Sequence, residues 1–439
     1  MEKASYYSSR ASLGLIAQRF KTMKLWSVVR ESVVIPQKKV RYEPLDKLLD
    51  CFILILAGGR GLVEINTRVR NDVGLQHAFG RHECAEQSTI SSTVNACNQE
   101  TVEQMRKVIK QIIQSHGQVM QRAKEDWLLL DVDMLGMVAG RQGEGVTKGY
   151  FSGGRDQRGR QLGRVVATDY DEMIVERLYT GKRQLESSLP ELVAAAQDTL
   201  KPDPAQSLEN TVCRMDGGGG TESNINHLLQ CNYHVLTKLH SWNRSKKLAA
   251  NIQQWQRDPK SKLREVGWVV LPHTFVKPTR QLAIRTVTAK GKVHHDVLVT
   301  SLSDQQLCAC FKLDAPVDSP WPLLYAYDLR GGGLETQNRC DRQGLALGHR
   351  NKRSFAAQEM LVLLGQLAHN FLIWMRNDLT RVSRRFARYG LKRMIRDVLT
   401  IDGSIIFDHQ NVCIAVELNP NHPLTAAVSR AFPVVMTEM

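Results

Sequence analysis

Hydrophobic positions recur with two different spacings along this 439-residue chain, and the change of spacing divides it into regions. From 44 to 120 the apolar residues follow helical spacing, as in "PLDKLLDCFILILAGG", which stops at a glycine pair. A Ser/Thr-rich helix from Ser88 precedes a second helix, with Asn98 and Thr101 as candidate caps. Short helices joined by polar turns suit a helix-turn-helix DNA-binding module, and a plain helical bundle fits the same pattern.

Between 127 and 240 the apolar runs are shorter than in the helical region from 44 to 120. Strands are predicted by "WLLLDVDMLG", "GRVVATDY", "MIVERLYTG", "NTVCRMD" and "YHVLTKL", and helices by "LPELVAAAQDTL" and "SNINHLLQ". Strands in series, followed by strand and helix in alternation, indicate a mixed α/β sheet. Acidic residues stand at the strand ends, where ligands bind in such sheets.

After residue 244 the predicted secondary structure changes twice. From 245 to 320 four segments, "VGWVVLPHTFV", "RQLAIRTVTA", "VHHDVLVTSL" and "LCACFKL", are together rich in β-branched residues and predict antiparallel strands of an insertion. Helical spacing then returns from Phe355 with little to interrupt it before Gly390. Basic residues spaced mostly three or four apart predict a stripe on one face of this helix: Arg381, Arg384, Arg385, Arg388, Lys392 and Arg396.

Charge and composition narrow the class of partner. The net charge of +15 favours a polyanion, nucleic acid before membrane. Nine cysteines without a CxxC pair indicate a reducing compartment and exclude a zinc-finger type of site. Since the N-terminal stretch lacks an apolar signal region and the longest apolar run falls short of about 20 residues, we expect a cytoplasmic protein without a membrane partner.

Three acidic motifs carry the candidate chemistry. "RMDGGGGTES" places Asp216 before four glycines, and no Lys-Ser or Lys-Thr pair completes a P-loop. Asp131 and Asp133, two residues apart in a predicted strand, would share one face. Glu335 follows a second glycine run in "YAYDLRGGGLETQNRCDRQGL". Carboxylates converging from separate elements are what two divalent cations need to cleave a phosphodiester, and Asp131 or Asp133, Asp216 and Glu335 meet that need.

Simpler roles are open for some of these residues. Asp216 could bond its own backbone in a turn, and Glu335 could stand at a helix N-terminus favoured by the helix dipole. Two adjacent histidines and an aspartate in a predicted strand resemble a metal-binding cluster, but neighbouring side chains on a strand point to opposite faces. We therefore predict that its members are surface residues: His294, His295 and Asp296.

The order of the motifs "LLLDVD", "CRMDGGGGTESN", a β-rich stretch and "YDLRGGGLETQNRCDRQGL" resembles the DDE transposases of bacterial insertion sequences. The resemblance is to the branch with a Tyr-Arg-Glu-Lys signature and a β-stranded insertion, and it covers residues 40 to 376. It implies three catalytic acids that bind Mg²⁺, with Mn²⁺ as a substitute. These are Asp133, Asp216 and Glu335, with Asp131 as a further metal ligand and the alternative first acid.

The resemblance also implies contacts with DNA. Tyr327 and Arg330 match signature residues that contact a DNA phosphate near the cut. Four residues separate Arg330 from Glu335 where the branch usually has three, and Arg342 replaces the final lysine, although arginine also binds phosphate. Three residues of the basic stripe are predicted DNA contacts as well: Arg384, Arg385 and Arg388.

Relatives that form hairpin ends flip a base out of the duplex and stack it on an aromatic side chain. Three tryptophans in or just before the insertion are candidates for that role, with packing of the insertion's own core as the alternative: Trp242, Trp255 and Trp268.

The fold class expected from the resemblance is α/β, a ribonuclease H-like mixed sheet with a mostly β insertion between helical regions. The implied activity is transposition, in which the protein, as a homodimer, cuts double-stranded element ends at terminal inverted repeats and joins their 3′ ends to target DNA. A ribonuclease H-like nuclease or resolvase, and a transposase-derived DNA-binding protein, are the alternatives. The expected regions are a helical DNA-binding part (1–120), the catalytic domain in two parts (121–244 and 321–400), the insertion (245–320) and a tail without assigned role (401–439).

Overall fold

The computed structural model describes residues 3–123, 126–149, 151, 157–200, 210–288 and 290–434. The chain divides into two compact units. The first, called the helical unit, comprises Met1–Gly117, Met137–Val146 and Asn338–Met439. The second, called the sheet unit, comprises Gln118–Gly136 and Thr147–Gln337.

The helices are concentrated in the first and last parts of the described chain, and most strands lie between them. In chain order the α-helices are α1 (Ala11–Thr22), α2 (Leu25–Ser32), α3 (Pro44–Leu56), α4 (Ile65–Arg68), α5 (Val73–Ala78), α6 (Gln87–Ala96), α7 (Gln99–His116), α8 (Leu185–Leu200), α9 (Glu222–Gln230), α10 (Trp242–Ala250), α11 (Asp304–Phe311), α12 (Trp321–Asp328), α13 (Leu334–Gln343), α14 (Phe355–Val382), α15 (Leu391–Arg393) and α16 (Thr425–Ala431).

The strands are named in the same way. They are β1 (Ala4–Ser8), β2 (Leu128–Val138), β3 (Thr147–Lys148), β4 (Arg158–Ala167), β5 (Glu172–Thr180), β6 (Thr211–Met215), β7 (His234–Lys238), β8 (Gln256–Arg257), β9 (Arg264–Trp268), β10 (Arg280–Val287), β11 (Val293–Thr300), β12 (Gly403–Phe407) and β13 (Cys413–Leu418).

Long apolar helices form the core of the helical unit. In α14 every residue from Ala357 to Met375 is buried, and Ser354 caps its start by accepting a hydrogen bond from the Ala357 amide. The predicted helix α3 is buried from Lys47 to Leu56. Asn98 caps α7, as predicted, by accepting from the Thr101 amide, so Thr101 lies inside the helix and is not itself the cap.

The first and last parts of the chain share a small sheet in the helical unit. β12 pairs antiparallel with β1 on one side and with β13 on the other. The tail that received no role from its sequence pattern therefore completes a sheet with the N-terminal strand.

A ten-stranded sheet organises the other unit. Its order is β3-β4-β2-β6-β7-β11-β10-β9-β8, with β5 paired to β4. β2, β6 and β7 run parallel, whereas β4 with β5, β7 with β11, and the strands beyond β11 pair antiparallel. The prediction of a mixed α/β sheet is confirmed, and the strands of the predicted insertion continue that sheet.

One predicted strand of the insertion is wrong. The segment "LCACFKL" belongs mainly to α11, because Ser303 and Gln306 form a capping box that starts a helix there. The β-branched run "VGWVVLPHTFV" is strand only as far as Trp268, where β9 ends.

The prediction of one uninterrupted basic helix is also wrong. α14 ends at Val382 because Ser383 is extended, and residues Arg384–Arg388 then form a 3-10 helix, followed by α15 and a π-helical turn at Met394–Val398. The break lets Phe386 and Tyr389 turn inward, where they are 0% and 6% exposed. The basic side chains nevertheless stay exposed on this broken segment, as predicted.

Within the described part of the chain, no helix combines the length and apolar character that a bilayer crossing requires.

Candidate active site

Two of the predicted acids meet at one edge of the sheet because their strands are parallel neighbours. In the register of β2 and β6, Asp131 lies opposite Arg214 and Val132 opposite Met215. Asp133 and Asp216 follow one residue later in each strand, so they stand side by side at the carboxyl edge. This is the edge at which parallel strands present ligand-binding groups.

The four glycines after Asp216 form a tight turn against the end of β7. The Gly218 amide donates to Asp216 Oδ1 at 2.8 Å, and the Gly219 amide donates to the Asp216 carbonyl at 3.2 Å. A Cβ on Gly220 would lie 1.7 Å from the Lys238 carbonyl oxygen, so only glycine fits there. Asp216 thus also takes the simpler turn role that its sequence left open.

Glu335 is linked to Asp133 by a shared partner, Arg330. Glu335 lies in the first turn of α13, directly after the second glycine run. Arg330 donates to Glu335 Oε1 at 2.8 Å, and its second terminal nitrogen lies 3.3 Å from Asp133 Oδ2. Arg330 is 8% exposed, whereas the Glu335 side chain is 56% exposed, so a buried guanidinium links the partly buried Asp133 to a more accessible acid.

The negative charge of the cluster exceeds the charge of this arginine. The pKa of Asp133 is raised to about 6: burial is the largest cause, Arg330 opposes it, and the charges of Asp216 and Glu335 add to the rise. Burial lowers the pKa of Arg330, but Asp133 and Asp216 outweigh that effect and raise it overall. Asp216 and Glu335 therefore both act electrostatically on Asp133.

Asp131, the alternative first acid, has a different environment. Arg214 donates to both of its carboxylate oxygens, at 2.7 and 2.8 Å, and the two side chains are 0% and 1% exposed. Arg214 also donates to the Ala326 carbonyl at 3.0 Å. The Leu334 amide, at the start of α13, lies 3.4 Å from Asp131 Oδ2. Asp131 thus ties β2 to β6 and to the helix that carries Glu335.

The second glycine run, residues 331 to 333, lets the start of α13 lie close to Asp131. A Cβ on Gly333 would lie 2.5 Å from Asp131 Oδ2 and 3.0 Å from an Arg214 nitrogen, whereas one on Gly331 or Gly332 would meet nothing within 4 Å. Only the last glycine of the run is needed for packing.

The donor chemistry of the cluster fits a hard divalent cation. Carboxylates are the ligands that Mg²⁺ prefers, and such an ion would stabilise the charged form of Asp133, which burial disfavours most and the charges of Asp216 and Glu335 disfavour further. Among the described residues, however, no three His, Cys, Asp or Glu side chains already stand in metal-binding geometry. In this arrangement Arg330 supplies the positive charge between Asp133 and Glu335.

Among the remaining predicted contacts, Tyr327 lies within electrostatic reach of the acids: burial raises its pKa, Arg330 opposes the rise and Asp216 adds to it. Tyr327, on α12, is half-buried with Lys238 Nζ 5.6 Å from its ring centre, and Arg342 is exposed two turns beyond Glu335 on α13. His294 is exposed, and Asp296 forms an ion pair with Lys238 instead of a metal cluster.

The three tryptophans have cationic neighbours. Arg285 lies 4.4 Å above the ring of Trp255, and Arg280 lies 4.6 Å above the ring of Trp268. Trp242 is 56% exposed. A stacking role for any of them stays a prediction.

The residue that sequence reasoning missed is Arg214. Its signal was present in "NTVCRMD", because a charged residue inside a buried apolar strand needs a partner of opposite charge.

No protein-family model and no curated protein matches this chain. A cryo-EM structure of a piggyBac transposase synaptic complex with hairpin DNA is similar at 11% sequence identity and a TM-score of 0.48. The match covers 91% of this chain and 82% of that one. A likeness of this size does not by itself define fold family or function.

Proposed function

We propose that this protein is a DDE-type DNA transposase, which cuts double-stranded DNA at the terminal inverted repeats of an insertion sequence and joins the 3′ ends to target DNA. The observation that carries the proposal is the convergence of the three acids: Asp133 and Asp216 on adjacent parallel strands, and Glu335 joined to Asp133 through Arg330. The order of these acids along the chain is that of the family it resembles.

Asp133, Asp216 and Glu335 are the proposed ligands of Mg²⁺, or of Mn²⁺ in its place. Such ions activate a water and stabilise the leaving oxygen of a phosphodiester. Asp133 is preferred to Asp131 because the carboxylate of Asp131 is fully engaged by Arg214. Asp133 has to lose its proton to serve as a ligand, which it does as the pH rises through about 6.

Arg330 is the proposed partner of a DNA phosphate beside the acids. A phosphate would compete with Glu335 for the guanidinium, because arginine binds both groups in the same forked geometry. Tyr327 and Arg342 are proposed as further phosphate contacts, on the family resemblance alone.

A ribonuclease H-like fold is supported by the mixed sheet and by the position of two acids at the ends of neighbouring parallel strands. We also propose a cytoplasmic homodimer that holds two element ends together. Three exposed arginines of the broken helix form no ion pair within the described residues and are available for DNA phosphates: Arg384, Arg385 and Arg388.

The test is incubation of the purified protein with Mg²⁺ and labelled linear DNA carrying the candidate end repeats. Joined products are expected. Cuts without joining would instead indicate a nuclease or resolvase, and a mobility shift without cuts would indicate a DNA-binding protein. Asp314→Asn is a suitable control, since Asp314 is an exposed carboxylate of the same unit and should be dispensable.

A further inference from the structure

A cavity of about 850 Å³ opens in the helical unit. Its walls come from α1, the end of α14, the turn between β12 and β13, and the end of α16 with the residues that follow. None of these residues belongs to the carboxylate cluster, and the proposed transposase activity leaves the cavity without a role.

The rim of this pocket is strongly basic. Four cationic residues line it, against the single carboxylate of Asp378: Arg19, Lys21, Arg381 and Arg430. Asp378 pairs with Arg381 at 2.8 Å and with Arg19 at 3.5 Å. Lys21 and Arg430 have no ion-pair partner among the described residues, and burial lowers the pKa of Lys21. An anion bound here would offset the desolvation of Lys21 and give both cations a partner of opposite charge.

The floor of the pocket is apolar. Leu15, Cys413 and Phe432 are 3%, 5% and 4% exposed, and Val412 beside them is 47% exposed. Gln18 adds a donor, because its side-chain nitrogen is buried without a partner among the described residues. A basic rim over an apolar floor suits a ligand with an anionic group and a flat, weakly polar body, with a hydrogen-bond acceptor for Gln18.

We infer that this pocket binds an unpaired nucleotide of a nucleic-acid strand, with the phosphate on Lys21 and Arg430 and the base over Val412 and Phe432. The volume is that of a site for one small ligand, so a base must leave its duplex to enter. A strand is favoured over a free nucleotide because the chain carries a surplus of 15 positive charges. Arg381 on the rim also leads directly into the exposed basic segment after α14.

The experiment compares two double variants in EDTA, so that the result does not depend on strand cleavage. Lys21→Ala/Arg430→Ala removes the two unpaired charges of the rim. Lys38→Ala/Lys107→Ala removes two exposed charges of the same unit that lie outside the pocket. Fluorescence anisotropy then gives the affinity for a labelled ten-nucleotide single strand and for a blunt-ended duplex without unpaired bases across a salt series.

The pocket variant should bind the single strand at least tenfold more weakly, with a salt slope shallower by about 1.4, or 0.7 for each charge removed. Its affinity for the duplex should stay within twofold, and the control variant should match the wild type on both. Lys21→Arg/Arg430→Lys should retain strand binding, and thermal unfolding of each variant reports on its folding.

Three results would overturn the inference. Equal losses in the pocket and control variants would mean a general effect of surface charge. Equal losses on strand and duplex would mean a phosphate surface that needs no unpaired base. Displacement of the strand by the free mononucleotide at equal nucleotide concentration would mean a small-molecule site.

Discussion

Two acid–arginine pairs stand two residues apart on β2, and they differ in how their charges balance. Asp131 and Arg214 are both fully buried and joined by two hydrogen bonds, one negative charge against one positive. Arg330 instead serves both Asp133 and Glu335, with Asp216 close enough to raise the pKa of Asp133. In the first pair one positive charge balances one negative charge, whereas around Arg330 one positive charge faces the three carboxylates of Asp133, Asp216 and Glu335.

The two acids of β2 therefore differ in role: Asp131 stabilises the fold, whereas Asp133 is a candidate for catalysis. A buried charge is stable when it is paired and hydrogen-bonded, which describes Asp131. An excess of carboxylates persists where a bound cation or substrate can relieve it, and perturbed pKa values accordingly cluster at functional sites. The balanced pair thus holds the elements in place, and the unbalanced cluster is the candidate for chemistry.

Breaking the balanced pair should give the largest change in stability. Asp131→Asn leaves the buried guanidinium of Arg214 without its counter-charge and should lower the free energy of unfolding by about 3–5 kcal/mol. Urea unfolding followed by tryptophan fluorescence measures this. The double variant Asp131→Leu/Arg214→Met, which removes both charges, should lose less than the single variant. A single variant within 1 kcal/mol of wild type would contradict the structural role of the pair.

Removing a charge from the unbalanced cluster of Asp133, Asp216 and Glu335 should raise the free energy of unfolding instead of lowering it. The folded pKa of Asp133, about 6, lies above its ordinary value of 3.8, so the wild type loses stability as the pH rises between these values. Asp133→Asn has no such loss and should be more stable than wild type by about 1–3 kcal/mol at pH 8 in EDTA. The gain should vanish near pH 4. Destabilisation at pH 8, or a gain independent of pH, would show that Asp133 is an adequately paired carboxylate.

The glycine run offers a smaller and local test of the same comparison. Gly333→Ala forces a methyl group against Asp131 and should cost about 1–3 kcal/mol through overpacking. Gly332→Ala points into open space and should stay within about 0.5 kcal/mol of wild type. Thermal or urea unfolding of both variants provides the measurement, and equal costs would refute the packing of Gly333 on the balanced pair.

The basic segment after α14 should affect binding without affecting stability. Replacing Arg384, Arg385 and Arg388 together by alanine should make the slope of log affinity against log salt shallower by about 2.7 on duplex DNA, or 0.9 for each charge. End-repeat and random duplexes should be affected alike, because phosphate contacts position a protein and do not read bases. An unchanged slope would make the segment a solvated surface, and a loss confined to end repeats would make it a base reader.

Local patterns were sufficient for much of the sheet unit. Strand periodicity predicted β2 and β6, and the acids at their ends were expected to converge, but only the register of the two strands places Asp133 beside Asp216. Short apolar runs such as "LCACFKL" fit helix and strand equally well, and a capping box at Ser303 decided for helix.

Features that depend on distant partners could not be read from the chain. The apolar run around Arg214 indicates that it needs a partner but not which one, because the acids that pair with Arg214 and Arg330, Asp131 and Asp133, lie far away in sequence. Likewise β1 meets β12 from opposite ends of the chain. The break at Ser383 has no glycine or proline to announce it and arises where Phe386 and Tyr389 become buried.

The central claim is that the unbalanced carboxylates bind the metal that drives strand cleavage, and Asp216→Asn tests it most directly. The amide keeps the shape of the side chain but lacks the charge, so Mg²⁺-dependent cleavage of end-repeat DNA should be abolished while DNA binding stays within a few-fold of wild type. Asp314→Asn, made in parallel, should cleave normally. Cleavage by Asp216→Asn at a rate near that of the wild type in Mg²⁺ would contradict the account.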